Sequence, residues 1–186
     1  NNLASLYYNT QHFSDCEAMY KLAIAVYERL TKANPQVYEP ILATSYRTLA
    51  IFYLYLCTQR LADSEAMFNS ALAIFERLVK DNPQDYEPDL AMLYYNLAII
   101  YTNTHRFAES EAMHEAALAI FERLAKENPQ AYELDLALSY HNLAGIYHRT
   151  QRFTESEAMY KSALAIREQL AKTNPQAYEP YLALSY

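Results

Sequence analysis

The sequence predicts an all-α solenoid of antiparallel helix pairs, and three observations carry that expectation. The first is composition. The 186 residues contain one glycine, Gly145, against an average share of roughly 7%, so tight turns, hairpins and glycine-rich phosphate loops are scarce. The second is internal repetition. Asn-Pro-Gln begins at Asn34, Asn82, Asn128 and Asn174, and Glu-Ala-Met at Glu17, Glu65, Glu111 and Glu157, in steps of 48, 46 and 46 residues. Tyr38, Tyr86, Tyr132 and Tyr178, each followed by glutamate, keep the same phase. A period between about 20 and 50 residues is the mark of a solenoid or array. The third is apolar spacing at three and four residues, which lines up one stripe along a helix.

Taken in chain order, residues 1–10 read as the rest of a first helix, with Leu3, Leu6 and Tyr7 on its apolar side. A second helix covers 13–33, with Asp15 in its first turn, where a carboxylate favours the helix dipole. Asn34-Pro35 ends it, because a residue before proline avoids the α region. The next first helix spans 39–57, with Pro40 in its opening turn, where a missing N–H is harmless. Two extra residues fall within the apolar segment 54–59 and account for the longer first step. Asp63 opens the helix over 61–81, and Pro88 the one over 87–104. There Leu90, Leu93, Tyr94, Leu97, Ala98 and Tyr101 form one stripe. A short polar turn, 102–106, leads into 107–127, with Glu109 near its start and Phe107, Met113, Ala117, Ile120, Phe121 and Leu124 as its stripe. The pattern repeats over 133–150 and 153–173, the latter opened by Glu155, and starts again at 179–186 with Pro180.

The repeats are therefore bounded as 1–38, 39–86, 87–132 and 133–178, with a partial helix at 179–186. Four periods and the two inserted residues account for the whole chain. Leu184-Ser185-Tyr186 matches Leu138-Ser139-Tyr140, and Asn1-Asn2-Leu3-Ala4 matches the segment that follows those, from His141. Both ends cut a first helix, and we expect the chain to be an excerpt of a longer array.

The residues Tyr94-Tyr95-Asn96-Leu97-Ala98, Tyr101, Arg106-Phe107-Ala108-Glu109-Ser110 and Ala117-Leu118-Ala119-Ile120 resemble the tetratricopeptide repeat, in particular its long variety found in kinesin light chains and bacterial scaffold proteins. The likeness recurs in every copy. It departs in the longer Asn-Pro-Gln-x-Tyr-Glu connection, in the serine or Cys16 that fills the small slot of Ser110, and in the inserted pair. The resemblance implies a right-handed superhelix, with first helices lining a concave face and second helices outside. It also implies a protein-interaction module that holds an extended peptide or partner helix in its groove, rather than an enzyme.

Nineteen tyrosines invite a binding role, but twelve fall into recurring slots and are expected to pack between repeats, their hydroxyls partnered at the interface edge. On the groove face, helical spacing places Tyr95, Asn96, Ile99, Thr102 and Asn103 in one copy and His141, Asn142, Gly145, His148 and Arg149 in the next. Earlier copies contribute Arg47, Thr48, Ile51, Leu54 and Tyr55, and Asn1, Asn2, Ser5, Tyr8 and Asn9. Asn2, Asn96 and Asn142 form a ladder of amides that both donate and accept. The resemblance implies that they hold a guest backbone; helix-to-helix hydrogen bonds are the competing use. From these the peptide-binding candidates are Asn2, Tyr8, Arg47, Tyr55, Tyr95, Asn96, Ile99, Asn103, His141, Asn142, His148 and Arg149. The basic clamp by which some chaperone-binding relatives hold a terminal carboxylate is missing, since its slots hold Thr44, Met92, Leu138 and Leu184. Gly145 replaces an isoleucine (Ile51, Ile99) in mid-helix; room for a guest and neutral drift both explain it.

The chain carries a net charge of −7, which argues against nucleic acid as a partner. Segments 1–10, 43–57, 91–104 and 137–150 hold no aspartate or glutamate. A neutral to weakly basic groove within an acidic protein favours a neutral or acidic guest, although close-packed inner helices would exclude carboxylates too. His141 and His148 are seven residues apart, about 10.5 Å along a helix, too far to share a metal. His105 and His114 read as surface residues, and Cys16 as a small core residue. No metal, cofactor or catalytic residue is expected, nor a membrane partner. We expect a cytoplasmic protein that binds a peptide or protein. Two further readings are a structural spacer that associates end to end, through apolar groups at cut termini, and a regulatory segment of a larger enzyme or signalling protein.

Overall fold

The computed structural model describes residues 13–56 and 60–183, apart from the side chain of Leu56. Every regular element among them is an α-helix: α1 (Phe13–Ala33), α2 (Pro35–Leu56), α3 (Leu61–Asp81), α4 (Pro83–Asn103), α5 (Phe107–Glu127), α6 (Pro129–Arg149), α7 (Phe153–Thr173) and α8 (Pro175–Ala183). Neighbours in sequence pack on one another, α2 on α1 and α3, α6 on α5 and α7, and α8 on α7. The all-α array of helix pairs is what the repetition and spacing predict. The helices fall into two compact units, one ending at Tyr86 and the other beginning at Glu87.

The second helices of each pair have the predicted bounds. The first helices do not: they begin four residues early, at Pro35, Pro83, Pro129 and Pro175. The Asn-Pro step that ends one helix also starts the next. Proline forces its predecessor out of the α region, and Asn82, Asn128 and Asn174 sit at φ −144°, −140° and −147° with ψ 83°, 81° and 85°. Each still donates its N–H to the helix behind it, to Leu78, Leu124 and Leu170 O at 2.8–3.0 Å. The Asn128 and Asn174 side chains then accept from Ala131 and Ala177 N, at 3.3 and 3.2 Å, and cap the helix ahead. Pro40, Pro88 and Pro180 consequently lie inside their helices. Their missing N–H strips a partner from the carbonyl four residues back, in the first turn, where Gln36, Gln84 and Gln176 are exposed to solvent.

Three periodic contacts join the helices. The buried serines Ser64, Ser110 and Ser156 donate to Ala50, Ala98 and Ala144 O at 2.7–2.9 Å, which explains a hydroxyl in a slot with no room for more; Cys16 fills the same slot, fully buried. Arg60, Arg106 and Arg152 lay their guanidinium groups 4.1–4.2 Å from the ring centres of Tyr53, Tyr101 and Tyr147 and pair with Asp63, Glu109 and Glu155. The tyrosine hydroxyls donate to carboxylates of the preceding outer helix: Tyr46 to Glu28, Tyr53 to Glu17, Tyr140 to Glu122 and Tyr147 to Glu115. Burial, then the Glu122 hydrogen bond, pushes the Tyr140 phenol up to about 12. With no glycine at hand, the turns use His105 (φ 60°) and Gln151 (φ 63°) in the left-handed region, at a cost of about 1 kcal/mol or more each.

Candidate functional site

In the second unit a cleft of about 190 Å³ opens among α4, α5, α6 and α7. Its walls begin with the stripe that helical spacing puts on one side of α4, where Ile99 and Asn103 line it, and continue on α6 with His141, Asn142 and Arg149. These predicted residues come together. Gly145 sits in the same wall, and a Cβ built there would meet only the Tyr160 hydroxyl, at 3.8 Å. The missing side chain is thus part of the opening.

The two described rungs of the asparagine ladder are spoken for. Asn96 is 4% exposed and its amide donates to Met92 O of its own helix at 2.7 Å. Asn142 donates to the Tyr95 hydroxyl across the α4–α6 gap at 2.8 Å, and its carboxamide still lines the cleft. Of the two uses left open for these amides, the helix-to-helix bond is seen at Asn142, while Asn96 bonds within its own helix. Tyr95 in turn presents its ring edge-on to His114, with centroids 6.0 Å apart.

Two residues not predicted for the site complete it, and each comes from an outer helix. His114, read from sequence as a surface residue, is 1% exposed and lines the cleft; that reading is corrected. Tyr160 faces it from α7 and stacks edge-on against His141 at 5.2 Å. The sequence did hold a signal: one repeat pairs Tyr95 with His114, and the next pairs His141 with Tyr160, the same two ring types exchanged. The equivalent outer slots of the first unit hold Phe68 and Tyr20, both buried. Arg167 likewise occupies the slot of the buried Phe75 and Phe121, at 1% exposure.

The electrostatics follow from burial. Desolvation lowers the His114 imidazole to about 4. Burial, and then the nearby Arg167 charge, lowers His141, so both are neutral at pH 7. Burial also lowers Arg167, an effect opposed by the Tyr95 phenol. Nδ1 of His114 and Nδ1 of His141 are buried without a hydrogen-bond partner among the described residues. Arg149 is exposed at the end of α6 and makes no ion pair there, unlike Arg106, Arg123 and Arg152 of the same unit. No aspartate or glutamate lines the cleft.

The remaining candidates are scattered. His148 is exposed and leans edge-on against Phe153 at 5.5 Å, beside a second hollow. In the first unit Arg47 is half-buried in α2 and Tyr55 is 60% exposed near its end. Leu54, expected on the open face, is 5% exposed and belongs to the core with Phe52 and Tyr53, which corrects that placement. Asn2 and Tyr8, and Cys57 to Gln59 of the insertion, lie outside the described residues. Among the described residues no three His, Cys, Asp or Glu gather as metal ligands, and no helix is long and apolar enough to cross a membrane.

Stacked helix pairs with a small cleft define a helical-repeat protein. Comparison with known proteins gives the family. A sequence profile described as tetratricopeptide repeat matches residues 89–169, and a second of the same description matches 1–35, together more than half of the chain. The chain belongs to the tetratricopeptide-repeat family, whose role is protein–protein interaction and which is typically not enzymatic. Among solved structures, BtubC from P. vanneervenii is 27% identical, with a TM-score of 0.73 over 90% of this chain and 61% of that one. A Podosopora anserina protein assigned to the kinesin light chains, with nearly identical TPR-like repeats, is 17% identical, with a TM-score of 0.63 over 100% of this chain and 82% of its own. The chain thus spans 61% of the length of BtubC. No curated protein sequence matches it.

Proposed function

We propose that the chain is a scaffold segment whose second unit holds an extended stretch of a partner protein, with one partner side chain anchored in the cleft beside Gly145. The observation that carries this is the glycine itself. Where the preceding repeat has Ile99, this one has no side chain, and the space left is lined by Asn103, His141, Asn142 and Arg149. At about 190 Å³ the cleft is smaller than the roughly 300–1,000 Å³ of small-molecule and cofactor sites, and it suits a single side chain. Its lack of carboxylates favours a neutral or acidic segment over a basic one. The recognition unit on this reading is the repeat, 87–132 followed by 133–178.

The test is selection from a displayed peptide library on the chain, with Gly145→Ile as a counter-target that refills the cleft. Enriched peptides should bind the parent chain and lose most of their affinity for the isoleucine variant by fluorescence anisotropy. Equal binding to both overturns the assignment. A second reading, association of copies end to end, draws on the exposed Phe153 (60%) and Tyr160, which flank the hollow on α7. Light scattering over a concentration series should then show mass growth that Phe153→Lys abolishes; a monomer at all concentrations removes this reading.

A further inference from the structure

Among the described residues, the cleft holds two titratable rings whose Nδ1 atoms have no hydrogen-bond partner and an arginine with no counter-ion, and that combination goes further than peptide binding in general. Resting on the groove reading above, we propose that the cleft takes an aspartate or glutamate side chain of the partner together with a proton, the anion pairing with Arg149 while the His114–His141 pair becomes charged around it. The geometry supplies each part. Arg149 stands at the mouth with its guanidinium unpaired among the described residues, and a carboxylate is the group whose geometry matches that fork. His114 lies behind it on α5 and His141 on α6, both lining the cleft and both with Nδ1 lacking a partner. Both Nδ1 atoms are themselves buried, so the guest's charge acts on the rings through space rather than by replacing a hydrogen bond.

The groups around the rings are the Tyr95 ring from α4, the Tyr160 ring and the Arg167 charge from α7, and Arg149 of α6 in the same lining; of these, Arg167 acts on His141 against its protonation. No carboxylate lines the cleft to charge the imidazoles in the free protein, and burial holds both neutral. An opposite charge within about 4–6 Å raises an imidazole by roughly 1–3 pH units. The proton comes from solvent. Since the bound form holds the proton more tightly than the free form, affinity rises as pH falls from 7.5 toward the free values, by up to about tenfold per unit. A glutamate of the ligand titrates near 4.3, below this window.

The experiment uses the full chain and an acetylated, amidated Ala-Glu-Ala-Glu-Ala-Glu peptide with its glutamine twin. Isothermal titration at pH 7.5, 6.5 and 5.5, in two buffers of different ionisation enthalpy, reads both affinity and proton uptake. The expected result is at least tenfold tighter binding of the glutamate peptide at pH 5.5 than at 7.5, with uptake of a fraction of a proton per complex near pH 6.5. Arg149→Gln, at an exposed position, should weaken binding about tenfold at every pH. His114→Phe with His141→Tyr places in each slot a residue that an equivalent slot already accommodates (Phe68, Tyr95); it should keep the helical spectrum and abolish the pH dependence and proton uptake. Glutamate binding with no proton uptake overturns the proposal. Equal affinity for the glutamine twin overturns it while leaving the groove reading in place. Binding of neither peptide, with the helical spectrum intact, overturns both.

Discussion

Replacing Gly145 by alanine should make this protein more stable. Gly145 lies in mid-α6 with ordinary helical backbone, since no glycine has positive φ, so alanine needs no conformational change. The added Cβ meets one atom, the Tyr160 hydroxyl, at 3.8 Å, an ordinary contact with no overpacking to offset the gain. What remains is the helix-interior preference for alanine over glycine, about 1 kcal/mol, part of which reflects the smaller conformational freedom of the unfolded chain. For a chain of this size that corresponds to a Tm higher by about 2–4 °C, read by circular dichroism during heating. Because repeat arrays unfold as coupled neighbours rather than as one block, the gain should appear in the part of the transition that reports on the second unit. A fall in Tm would mean that the glycine relieves a crowding absent from the described geometry, and the account of the cleft as open space would be wrong.

Two other outcomes follow from named contacts. Asn142→Ala removes the hydrogen bond to the Tyr95 hydroxyl and should cost about 1 kcal/mol in urea unfolding; unchanged unfolding with weakened peptide capture would return this amide to a purely guest-facing role. In the first unit burial raises the Glu17 carboxyl, but hydrogen bonds from Lys21, Arg60 and Tyr53 outweigh it and hold it at about 2. A depressed carboxylate contributes stability that is present above its unfolded value, near 4.5, and is lost as pH falls toward 2. Glu17→Gln should therefore lower stability at pH 7 and flatten the loss between pH 4.5 and 2.5, measured by urea unfolding at each pH; an unchanged acid limb refutes the pairing.

The outer helices were legible to the residue because a polar turn precedes each aromatic or leucine start and Asn-Pro follows each end. The inner helices start four residues before the sequence-based expectation, because Pro35, Pro83, Pro129 and Pro175, not Pro40 and its equivalents, hold the first-turn place. Periodicity alone does not say which of two prolines opens a helix; the capping asparagine does. Helical spacing likewise brought Ile99, Asn103, His141, Asn142 and Arg149 together, since they share a stripe with nothing intervening. It does not reach His114, Tyr160 and Arg167, which sit on the outer helices α5 and α7. An outer helix still turns one stripe toward its partner, and the phenylalanines at 68, 75 and 121 in the same slots mark that stripe.

The asparagine joints have a mechanical consequence. Between α3 and α4, α5 and α6, and α7 and α8 a single residue leaves the helical path, and the proline that follows it has no rotation about its own N–Cα bond to give. Each joint can yield only through the φ and ψ of one asparagine, whose side chain, at positions 128 and 174, is already anchored in the helix ahead. A pull on the chain therefore meets hinges stiffened on both sides.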